Sequence, residues 1–393
     1  MKHIVIAGGG FAGLHLARKL RKQKDMMITV INPSADFRYS PALYRAVVGF
    51  KIGIARLPIE WALLDCSNST LKLASVTSVD PANKTLTTDT NELISYDYAI
   101  FSLGSKTSYF GIKGLPEFSY GIKTVDEVVA LRKHIHDTLS VKSNEPHNYV
   151  IVGAGPTGVE LAGSIGSYLK HITKLHHVSS VNAQVHLVEA GPRILSQMSN
   201  RAANKVAKNL SKLGVIVHTG TQVQAETLNT LRTSIGSIKT NTVIWTAGTQ
   251  NNEFFSNNKS VFSFDKRGKV VVDKHLCVTP TLYVCGDNAS TKFSGLALTA
   301  VWHADFIAKD IVARIHHKNR PTKYERAPAQ VVPAGRAWAV FQYRGIVMSG
   351  RLPSVIRRVA DFVGYRDIVG TLKALTIWSN GDTTEEVCNT CRR

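Results

Sequence analysis

The chain of 393 residues contains few cysteines, and their spacing fits neither a disulfide framework nor a metal site. Five are present, an odd number at scattered positions: Cys66, Cys277, Cys285, Cys388 and Cys391. Only Cys388 and Cys391 form a C-x-x-C pair, and four zinc ligands are not in view around it. We expect no metal, and we interpret the pair as part of a frayed polar tail, with a redox or metal role as the alternative.

Long apolar runs are also absent from the sequence. No run reaches the ~18–20 residues that a membrane-spanning helix needs. The N-terminus enters an apolar, strand-like stretch at once, so no cleavable signal peptide is visible. We therefore expect a cytosolic protein, or a peripheral one on the cytoplasmic face of the cell membrane.

Acidic residues are scarce relative to basic ones. The 28 Asp and Glu residues against 48 Lys and Arg residues give a formal net charge of +20. Such a charge favours anionic partners, namely phosphate-bearing cofactors, acidic lipids or nucleic acid. No recognition helix, RNA-binding module or zinc finger is readable, so nucleic acid is the partner that the sequence favours least.

The sequence does contain two Gly-x-Gly-x-x-Gly loops. The first follows the apolar run 4–7 with Gly8, Gly10 and Gly13, and the second follows 149–152 with Gly153, Gly155 and Gly158. Helical stretches at 14–20 and 159–165 come next, so both loops have the strand–turn–helix context of dinucleotide-binding units. Two such units predict two dinucleotides, and the simplest chemistry is a flavin that takes hydride from a nicotinamide.

Further residues at predicted strand ends complete these two units. Asn32 ends the second strand of the first unit, where a side chain binds ribose hydroxyls. Glu189 holds the same place in the second unit, and its charge favours NADH over NADPH. Asp287, after a strand that ends at Gly286, is placed to bind the flavin ribityl chain. Gly104 and Gly248 end two further strands in glycine turns.

These patterns predict an α/β protein with two Rossmann-like dinucleotide-binding domains and a C-terminal amphipathic helical segment. Residues 1–115 and 255–320 are expected to form an FAD-binding domain. Residues 116–254 are expected to form an inserted NADH-binding domain. The C-terminal segment is expected to span 321–393.

Within the C-terminal segment, helical periodicity aligns apolar side chains into two stripes flanked by basic residues. The first stripe is Leu352, Val355, Ile356, Val359 and Val363, and the second is Ile368, Leu372 and Leu375. The flanking residues are Arg351, Arg357, Arg358, Arg366 and Lys373, and Trp378 ends the run. An apolar face with basic flanks and an aromatic end is typical of a helix in a membrane interface. A helix pair packed on the protein's own core is the alternative.

The chain resembles the type II NADH dehydrogenases, single-subunit flavoproteins that pass electrons from NADH to a membrane quinone. The stretches that carry the resemblance are AGGGFAGLHLA, FRYSPALYRAVVG, YFGIKGL, VGAGPTGVELAG, LVEAGPRIL, VIWTAGT and CGDNA. The resemblance runs from residue 1 to about residue 378. It implies FAD and NADH as cofactors, a quinone acceptor, membrane docking through the C-terminal segment and a homodimer.

The resemblance also implies roles for individual residues. Glu160 matches a family glutamate near the nicotinamide–flavin contact, where it orients nicotinamide or relays a proton; a solvent-facing or helix-capping glutamate is the alternative. The residues expected to bind FAD are Gly8, Gly10, Phe11, Ala12, Gly13, Asn32, Pro41, Ser102, Gly104, Gly286, Asp287 and Ala300. The residues expected to bind NADH are Gly153, Gly155, Pro156, Thr157, Gly158, Glu189 and Gly248.

The sequence departs from the family where glutamines border the quinone site. Leu298 and Trp302 replace polar positions of the family pattern, and His303 follows. Trp302 is expected either to stack on a quinone or flavin ring or to pack in the core. His303 is expected either to donate a proton near neutral pH or to lie on the helix surface.

Four other classes of flavoprotein compete with the quinone reductase. Disulfide reductases and sulfide:quinone reductases need cysteines beside the flavin, and the sequence places none there. An NADH-dependent reductase of an acidic protein acceptor such as ferredoxin fits the basic charge. A basic flavoprotein that binds nucleic acid is a further alternative, to be distinguished by a salt-sensitive gel shift with negligible turnover.

Overall fold

The structure, a computed structural model, describes residues 1–140, 147–175, 183–322 and 326–382. The strands of the described residues are β1 (Lys2–Ala7), β2 (Met26–Asn32), β3 (Asp36–Arg38), β4 (Arg56–Pro58), β5 (Ser69–Leu73), β6 (Val76–Asp80), β7 (Thr85–Thr88), β8 (Leu93–Ser95), β9 (Tyr98–Phe101), β10 (Ser105–Thr107), β11 (His147–Val152), β12 (Ala183–Val188), β13 (Val215–His218), β14 (Val223–Thr227), β15 (Thr230–Thr233), β16 (Gly236–Lys239), β17 (Thr242–Trp245), β18 (Thr249–Asn251), β19 (Cys277–Thr279), β20 (Leu282–Val284), β21 (Gln330–Pro333), β22 (Ala339–Tyr343) and β23 (Ile346–Gly350). The helices are α1 (Phe11–Leu20), α2 (Leu43–Val47), α3 (Ile59–Leu63), α4 (Leu115–Phe118), α5 (Val125–Ser140), α6 (Pro156–Leu175), α7 (Asn200–Lys212), α8 (Glu253–Asn257), α9 (Ala297–Ile315), α10 (Arg351–Val369) and α11 (Thr371–Ser379).

The first glycine loop belongs to a six-stranded sheet with the order β19-β20-β9-β1-β2-β5. The strands β1, β2, β5, β9 and β20 pair in parallel, and only β19 is antiparallel. The interior of β1 is apolar and fully buried, as a strand covered on both faces requires. The loop follows β1 and therefore lies at the carboxyl edge of the sheet. Because β1 is a central strand, the loop lies near the middle of that edge.

The second glycine loop belongs to a separate sheet of four parallel strands with the order β13-β12-β11-β17. Its position after β11 repeats the position of the first loop after β1. The two predicted strand–loop–helix units are therefore both present. The strands of the first sheet come from residues 2–101 and 277–284, and those of the second come from residues 147–245.

The C-terminal segment forms a three-stranded antiparallel sheet, β21-β22-β23, followed by the predicted helices α10 and α11. Inward-facing side chains of these helices, among them Tyr365, Ile368 and Ile377, join the same hydrophobic cluster as the first and second sheets. The core-packing alternative is thus right for one face of each helix, and membrane contact stays a prediction for the other face. No helix among the described residues is long and apolar enough to cross a membrane.

The structure corrects three predictions about the apolar stripes and the residues that flank them. Ile368 is fully buried, so it belongs to the core and not to an exposed stripe. Arg357 is also turned inward, with its side chain only 15% exposed. Trp378 packs edge-on against Phe362 and its indole Nε1 donates to the carbonyl of Arg358 at 2.7 Å, so it is tied to the protein itself. The predicted pair Cys388 and Cys391 lies outside the described residues.

Candidate functional site

The first glycine loop is shaped by close backbone contacts. Gly8 has φ of +107°, and a Cβ there would lie 2.3 Å from the carbonyl oxygen of Ser102. A Cβ on Gly13 would lie 1.9 Å from the carbonyl oxygen of Gly8. The hydroxyl of Ser102 is buried and donates to the same Gly8 oxygen at 2.9 Å. Only glycine therefore allows α1 to begin this close to β1 and β9.

The second glycine loop repeats these contacts. Gly153 has φ of +101°, and a Cβ there would lie 2.6 Å from Cα of Ala247. A Cβ on Gly158 would lie 1.8 Å from the carbonyl oxygen of Gly153. The hydroxyl of Thr246 donates to that oxygen at 2.9 Å, as Ser102 does in the first loop. The structure thus confirms that the two loops share one construction.

The middle glycine of each loop instead faces open space. A Cβ on Gly155 would meet nothing within 4 Å, and one on Gly10 would meet its nearest atom at 3.9 Å. Each lies at the N-terminus of a helix, α6 and α1, whose first turn carries no acidic side chain. Open space before free N–H groups is what an approaching pyrophosphate requires. The residues present therefore fit the pyrophosphates of two dinucleotides, one at each loop.

Asn32 and Glu189 hold equivalent positions in the two units. Asn32 Oδ1 accepts from the N–H of Gly9 at 2.9 Å, and its amide donates to the carbonyl of Ser34 at 2.7 Å. Glu189 accepts from the N–H groups of Ala154 and Gly191, each at 2.7 Å. Both side chains therefore brace the glycine loop, a role that the sequence analysis did not include. A ribose contact would use the remaining lone pairs of these oxygens.

Asp287 lies at the carboxyl edge of the first sheet, among cations that sequence reasoning missed. Its carboxylate accepts from the hydroxyl of Ser105 at 3.3 Å. Lys123 Nζ donates to Ser105 Oγ at 3.1 Å, and Lys269 Nζ donates to the carbonyl of Asp287 at 2.6 Å. Burial lowers the pKa of Lys123 to about 8, although the negative charge of Asp287 acts to raise it. These lysines lie far apart in sequence, so no motif pointed to them.

The other residues predicted to bind cofactors line the same two edges. Gly104 exchanges two hydrogen bonds with the side chain of Asn288, which fixes the turn after β9. A Cβ on Gly286 would lie 3.6 Å from Ala300 and 3.9 Å from Ala12, so these three residues converge. The remaining predicted residues are Phe11, at the start of α1 against Phe37 and Tyr39; Pro41, before α2; Pro156 and Thr157, in the first turn of α6; and Gly248, beside Phe110.

Glu160 is buried in the second turn of α6, so the solvent-facing alternative is wrong. Its Oε1 lies 3.4 Å from Nη1 of Arg357 on α10. The same guanidinium donates from Nη2 to the carbonyl of Pro41 at 2.8 Å, and its Nε lies 3.3 Å from Oδ1 of Asp361. Tyr39 donates to that Asp361 oxygen at 3.2 Å.

This polar cluster changes the acid–base properties of Glu160. Burial raises the pKa of its carboxyl to about 7, although the cation of Arg357 acts in the opposite direction. A carboxyl that titrates near neutral pH can give and take a proton under working conditions. Sequence analysis missed Arg357 and Asp361 as site residues; their i, i+4 spacing on the polar side of α10 was the available signal.

Trp302 and His303 lie in the first turns of α9, beside a shallow pocket that Thr291, Thr299 and Arg326 also line. The ring of Trp302 is half-buried, with the guanidinium of Arg326 5.8 Å from its centroid. His303 is only 1% exposed, so the predicted surface position is wrong.

The environment of His303 also argues against its predicted proton transfer. Its Nδ1 accepts from the N–H of Gly286 at 3.2 Å. Burial lowers the pKa of the imidazole to about 4, so no imidazolium is present near neutral pH. We infer that His303 supports the turn of Gly286 and is not a neutral-pH acid.

The cysteines of the described residues give no redox pair. Cys66, Cys277 and Cys285 are free and buried. Burial raises the pKa of Cys277 to about 11 and that of Cys285 to about 12, so both stay protonated thiols at neutral pH.

The fold and the two loops define a protein with two dinucleotide-binding units. Comparison with known protein families identifies the family to which the chain belongs. The profile of the family described as pyridine nucleotide-disulphide oxidoreductase matches residues 2–304, and the chain belongs to this family. It is an oxidoreductase, and the predicted fold class is confirmed.

Curated relatives give a narrower comparison. The chain is 28% identical to the type II NADH:quinone oxidoreductase Ndh of Mycobacterium tuberculosis over 95% of this chain and 87% of that protein. It is 27% identical to the type II NADH:quinone oxidoreductase of Staphylococcus saprophyticus over 73% of this chain and 74% of that one. The resemblance predicted from the sequence is thereby confirmed.

Solved structures agree on the fold. NDH2 from Plasmodium falciparum, solved in complex with NADH, superposes with a TM-score of 0.84 at 17% identity, covering 96% of this chain and 97% of that chain. The sulfide:quinone oxidoreductase of Aquifex aeolicus superposes with a TM-score of 0.80 at 18% identity, covering 100% and 98%. At these identities the likeness concerns the fold alone.

Proposed function

We propose that the protein is an FAD-dependent NADH:quinone oxidoreductase that works on a membrane surface without pumping protons. The observation that carries the proposal is the pair of glycine loops, each with its middle glycine open at a helix N-terminus. One loop fits FAD and the other fits NADH, so both halves of a hydride transfer have a site. The curated relatives that match most of the chain are named for this reaction.

When bound, FAD supplies the redox chemistry by accepting hydride from NADH and passing the electrons on. The chain itself binds, orients and supplies a proton. The loop of Gly153, Gly155 and Gly158 holds the pyrophosphate of NADH, and Glu189 repels a 2′-phosphate. Glu160, with a carboxyl that titrates near pH 7, relays the proton that quinone reduction consumes.

Membrane docking is proposed for the outward faces of α10 and α11. The exposed apolar residues there are Leu352, Val355, Val359, Val363, Leu372 and Leu375, whose exposed fractions run from 36% to 84%. Nearby, Leu64 is 65% exposed and Trp61 is 37% exposed, with Lys373 Nζ 4.7 Å from its ring centroid. An apolar patch with basic and aromatic neighbours suits the interface of an anionic membrane.

We propose a peripheral position on the cytoplasmic face of the cell membrane, and the exposed apolar patch supports the membrane contact in this proposal. Trp61 and Leu64, just before and after the end of α3, extend the patch beyond the C-terminal segment to which sequence analysis confined it. A homodimer and the domain boundaries predicted from the sequence remain predictions.

The experiment that tests the function follows NADH consumption by purified, FAD-loaded protein after addition of a short-chain quinone. NADPH serves as the cofactor control. We expect fast quinone-dependent turnover with NADH and much slower turnover with NADPH. If NADH reduces the protein but quinone does not reoxidise it, the quinone assignment fails and an acidic protein acceptor such as ferredoxin becomes the better hypothesis.

A further inference from the structure

Helix α10 has two faces with different chemistry. Its outer face carries Leu352, Val355 and Val359, each more than half exposed. Its inner face carries Arg357 and Asp361, whose side chains are 15% and 6% exposed. A single helix therefore connects the proposed docking surface with the buried cluster around Glu160.

The guanidinium of Arg357 has one partner on each of three segments. It reaches Oε1 of Glu160 on α6 at 3.4 Å, the carbonyl oxygen of Pro41 at 2.8 Å and Oδ1 of Asp361 on its own helix at 3.3 Å. Pro41 and Glu160 lie in the parts of the chain that carry the first and second glycine loops, respectively. Arg357 thus fixes the relative positions of the two parts at this point.

The two carboxylate oxygens of Glu160 have different surroundings. Oε1 is held by Arg357. Among the residues that the structure describes, no group hydrogen-bonds to Oε2. Oε2 is not one of the fully buried side-chain atoms that lack a hydrogen-bond partner among the described residues. A molecule bound next to Glu160 can therefore reach this oxygen. One oxygen is anchored and the other is available.

The groups that face Glu160 come from two helices. α10 brings the cation of Arg357 and the anion of Asp361, which have opposite effects on the pKa of Glu160. α2 brings Tyr44, whose phenol stays neutral because burial raises its pKa. Arg45 lies 4.0 Å from the other oxygen of Asp361 and partly balances it. Among the described residues, no further charged group shifts the pKa of Glu160.

We propose that Arg357, supplied by the C-terminal helix α10, is a positioning residue of the active site: it anchors one oxygen of Glu160 and leaves the other free to pass a proton to the quinone. This inference rests on the proposed function, because the proton is needed for quinone reduction. Quinone takes up an electron pair and two protons; NADH gives up the electron pair with one proton as hydride, and water supplies the other proton through Glu160.

The arrangement predicts opposite effects for two substitutions on α10. Arg357→Gln removes the cation that favours the ionised carboxylate, so the pKa of Glu160 rises from about 7. Asp361→Asn removes the like charge, so that pKa falls. A proton donor must be protonated before the step, so activity falls as pH rises through its pKa. The falling limb should move to higher pH in Arg357→Gln and to lower pH in Asp361→Asn.

The test measures kcat against pH for FAD-loaded full-length protein with NADH and a short-chain quinone. We expect the limb to shift upward by at least about one pH unit in Arg357→Gln and to return most of the way in Arg357→Lys. Arg358→Gln is the matched control, because that neighbouring guanidinium lies over the Trp378 ring and not against Glu160. Limbs that stay in place, or that move in the same direction in Arg357→Gln and Asp361→Asn, overturn the proposal.

A second readout does not depend on turnover. The pKa of Glu160 is raised on folding, so its contribution to stability is present at low pH and is lost as pH rises from about 4.5 towards 7. His303 titrates in the opposite sense between pH 4 and 6.5, so the melting profiles are recorded in the His303→Asn background, where that side chain cannot titrate. In that background, the pH at which the melting temperature stops falling should rise in Arg357→Gln and fall in Asp361→Asn. Glu160→Gln should remove this step.

The two readouts separate the two hypotheses. If the wild-type protein shows no quinone turnover, the proposed function fails, and the melting profiles alone decide whether Arg357 sets the ionisation of Glu160. Opposite shifts then support that pairing, and unchanged profiles overturn it. If turnover is present and only the Arg357→Gln limb fails to move, the function stands and this inference does not. Should Arg357→Gln fail to fold, Asp361→Asn still tests the coupling, and profiles that do not move to lower pH in this variant overturn the proposal.

Discussion

At the scale of single residues, the glycines of one loop have separable tasks. A Cβ on Gly158 would lie 1.8 Å from the carbonyl oxygen of Gly153, whereas a Cβ on Gly155 would meet nothing within 4 Å. We predict that Gly158→Ala lowers the free energy of unfolding by about 1–3 kcal/mol, because backbone must move. Gly155→Ala should leave stability unchanged but weaken NADH binding, because the methyl group projects into the pyrophosphate position.

Thermal melting and titration of NADH fluorescence measure these two effects separately. Equal losses of stability in both variants would contradict the assignment of Gly155 to the ligand. Gly10→Ala is the internal comparison in the first loop: it should weaken FAD retention and leave NADH binding unchanged.

Glu189 supports a prediction about cofactor choice. Its two oxygens accept from the backbone of Ala154 and Gly191, so the carboxylate stands at the edge of the second glycine loop. Glu189→Gln keeps an acceptor there and removes the charge that repels a 2′-phosphate. We predict that the ratio of kcat/KM for NADPH to that for NADH rises by roughly tenfold, equivalent to about 1.4 kcal/mol. An unchanged ratio would mean that specificity lies elsewhere.

His303 supports a prediction about acid stability. Its pKa is about 4 in the folded protein, below the ordinary value of 6.5, because burial disfavours the cation. The unfolded chain therefore takes up a proton first, and stability is lost as pH falls from about 6.5 to 4. The expected loss is on the order of 3 kcal/mol.

His303→Asn keeps an acceptor for the N–H of Gly286 and cannot titrate. Chemical denaturation at several pH values should show that the wild type loses free energy of unfolding relative to this variant as pH falls from 6.5 to 4, because the opposing titration of Glu160 is common to both proteins. The same decline in both proteins would show that other groups control acid stability. Turnover at neutral pH should persist, since the imidazole is not the proton donor.

At the scale of secondary-structure elements, α10 and α11 divide their surfaces between the core and the proposed membrane interface. Leu372 and Leu375 on α11 are 84% and 52% exposed, while Ala374 and Ile377 between and after them are buried. We predict that Leu372→Glu with Leu375→Glu weakens binding to anionic vesicles by at least tenfold, because two charged groups would have to enter the apolar interface. Vesicle co-sedimentation measures this.

The matched control is Leu228→Glu, a leucine that is 66% exposed between β14 and β15, far from α11 in the chain. It should bind vesicles as the wild type does. Both proteins should retain turnover with a short-chain, water-soluble quinone, because the helix face that holds Arg357 is untouched. Deleting the whole segment would not make this distinction, since it would remove Arg357 as well.

At the scale of the whole molecule, the net charge of +20 acts over the full surface. Attraction between dispersed basic residues and anionic lipid is screened within about 10 Å at 0.1 M salt. We predict that vesicle binding falls steeply between low and high salt on anionic lipid. On neutral lipid, binding should be weaker and nearly independent of salt. Equal binding to both lipids at every salt concentration would show that the apolar patch acts alone.

Features that depend on residues close together in the chain are predictable from the sequence. The two glycine loops, the strands before them and the helices after them were predicted at the right positions, because backbone sterics and hydrophobic periodicity act over a few residues. The start of α5 also depends on residues close together in the chain. Glu127 accepts from the N–H of Thr124, and the hydroxyl of Thr124 accepts from the N–H of Glu127, which is a reciprocal capping box.

Which helix faces are covered and which charged groups meet depends on how distant segments pack, and the sequence does not predict it. Arg357 and Glu160 are 197 positions apart, and Tyr39 and Asp361 are 322 apart. Helical periodicity identifies Arg357 as polar and Ile368 as apolar. It does not predict which distant residues pack against these two side chains. His303 became a buried acceptor because β20 and α9 meet at Gly286. Such contacts depend on how distant segments pack, and that arrangement alone sets the pKa of Glu160 near 7.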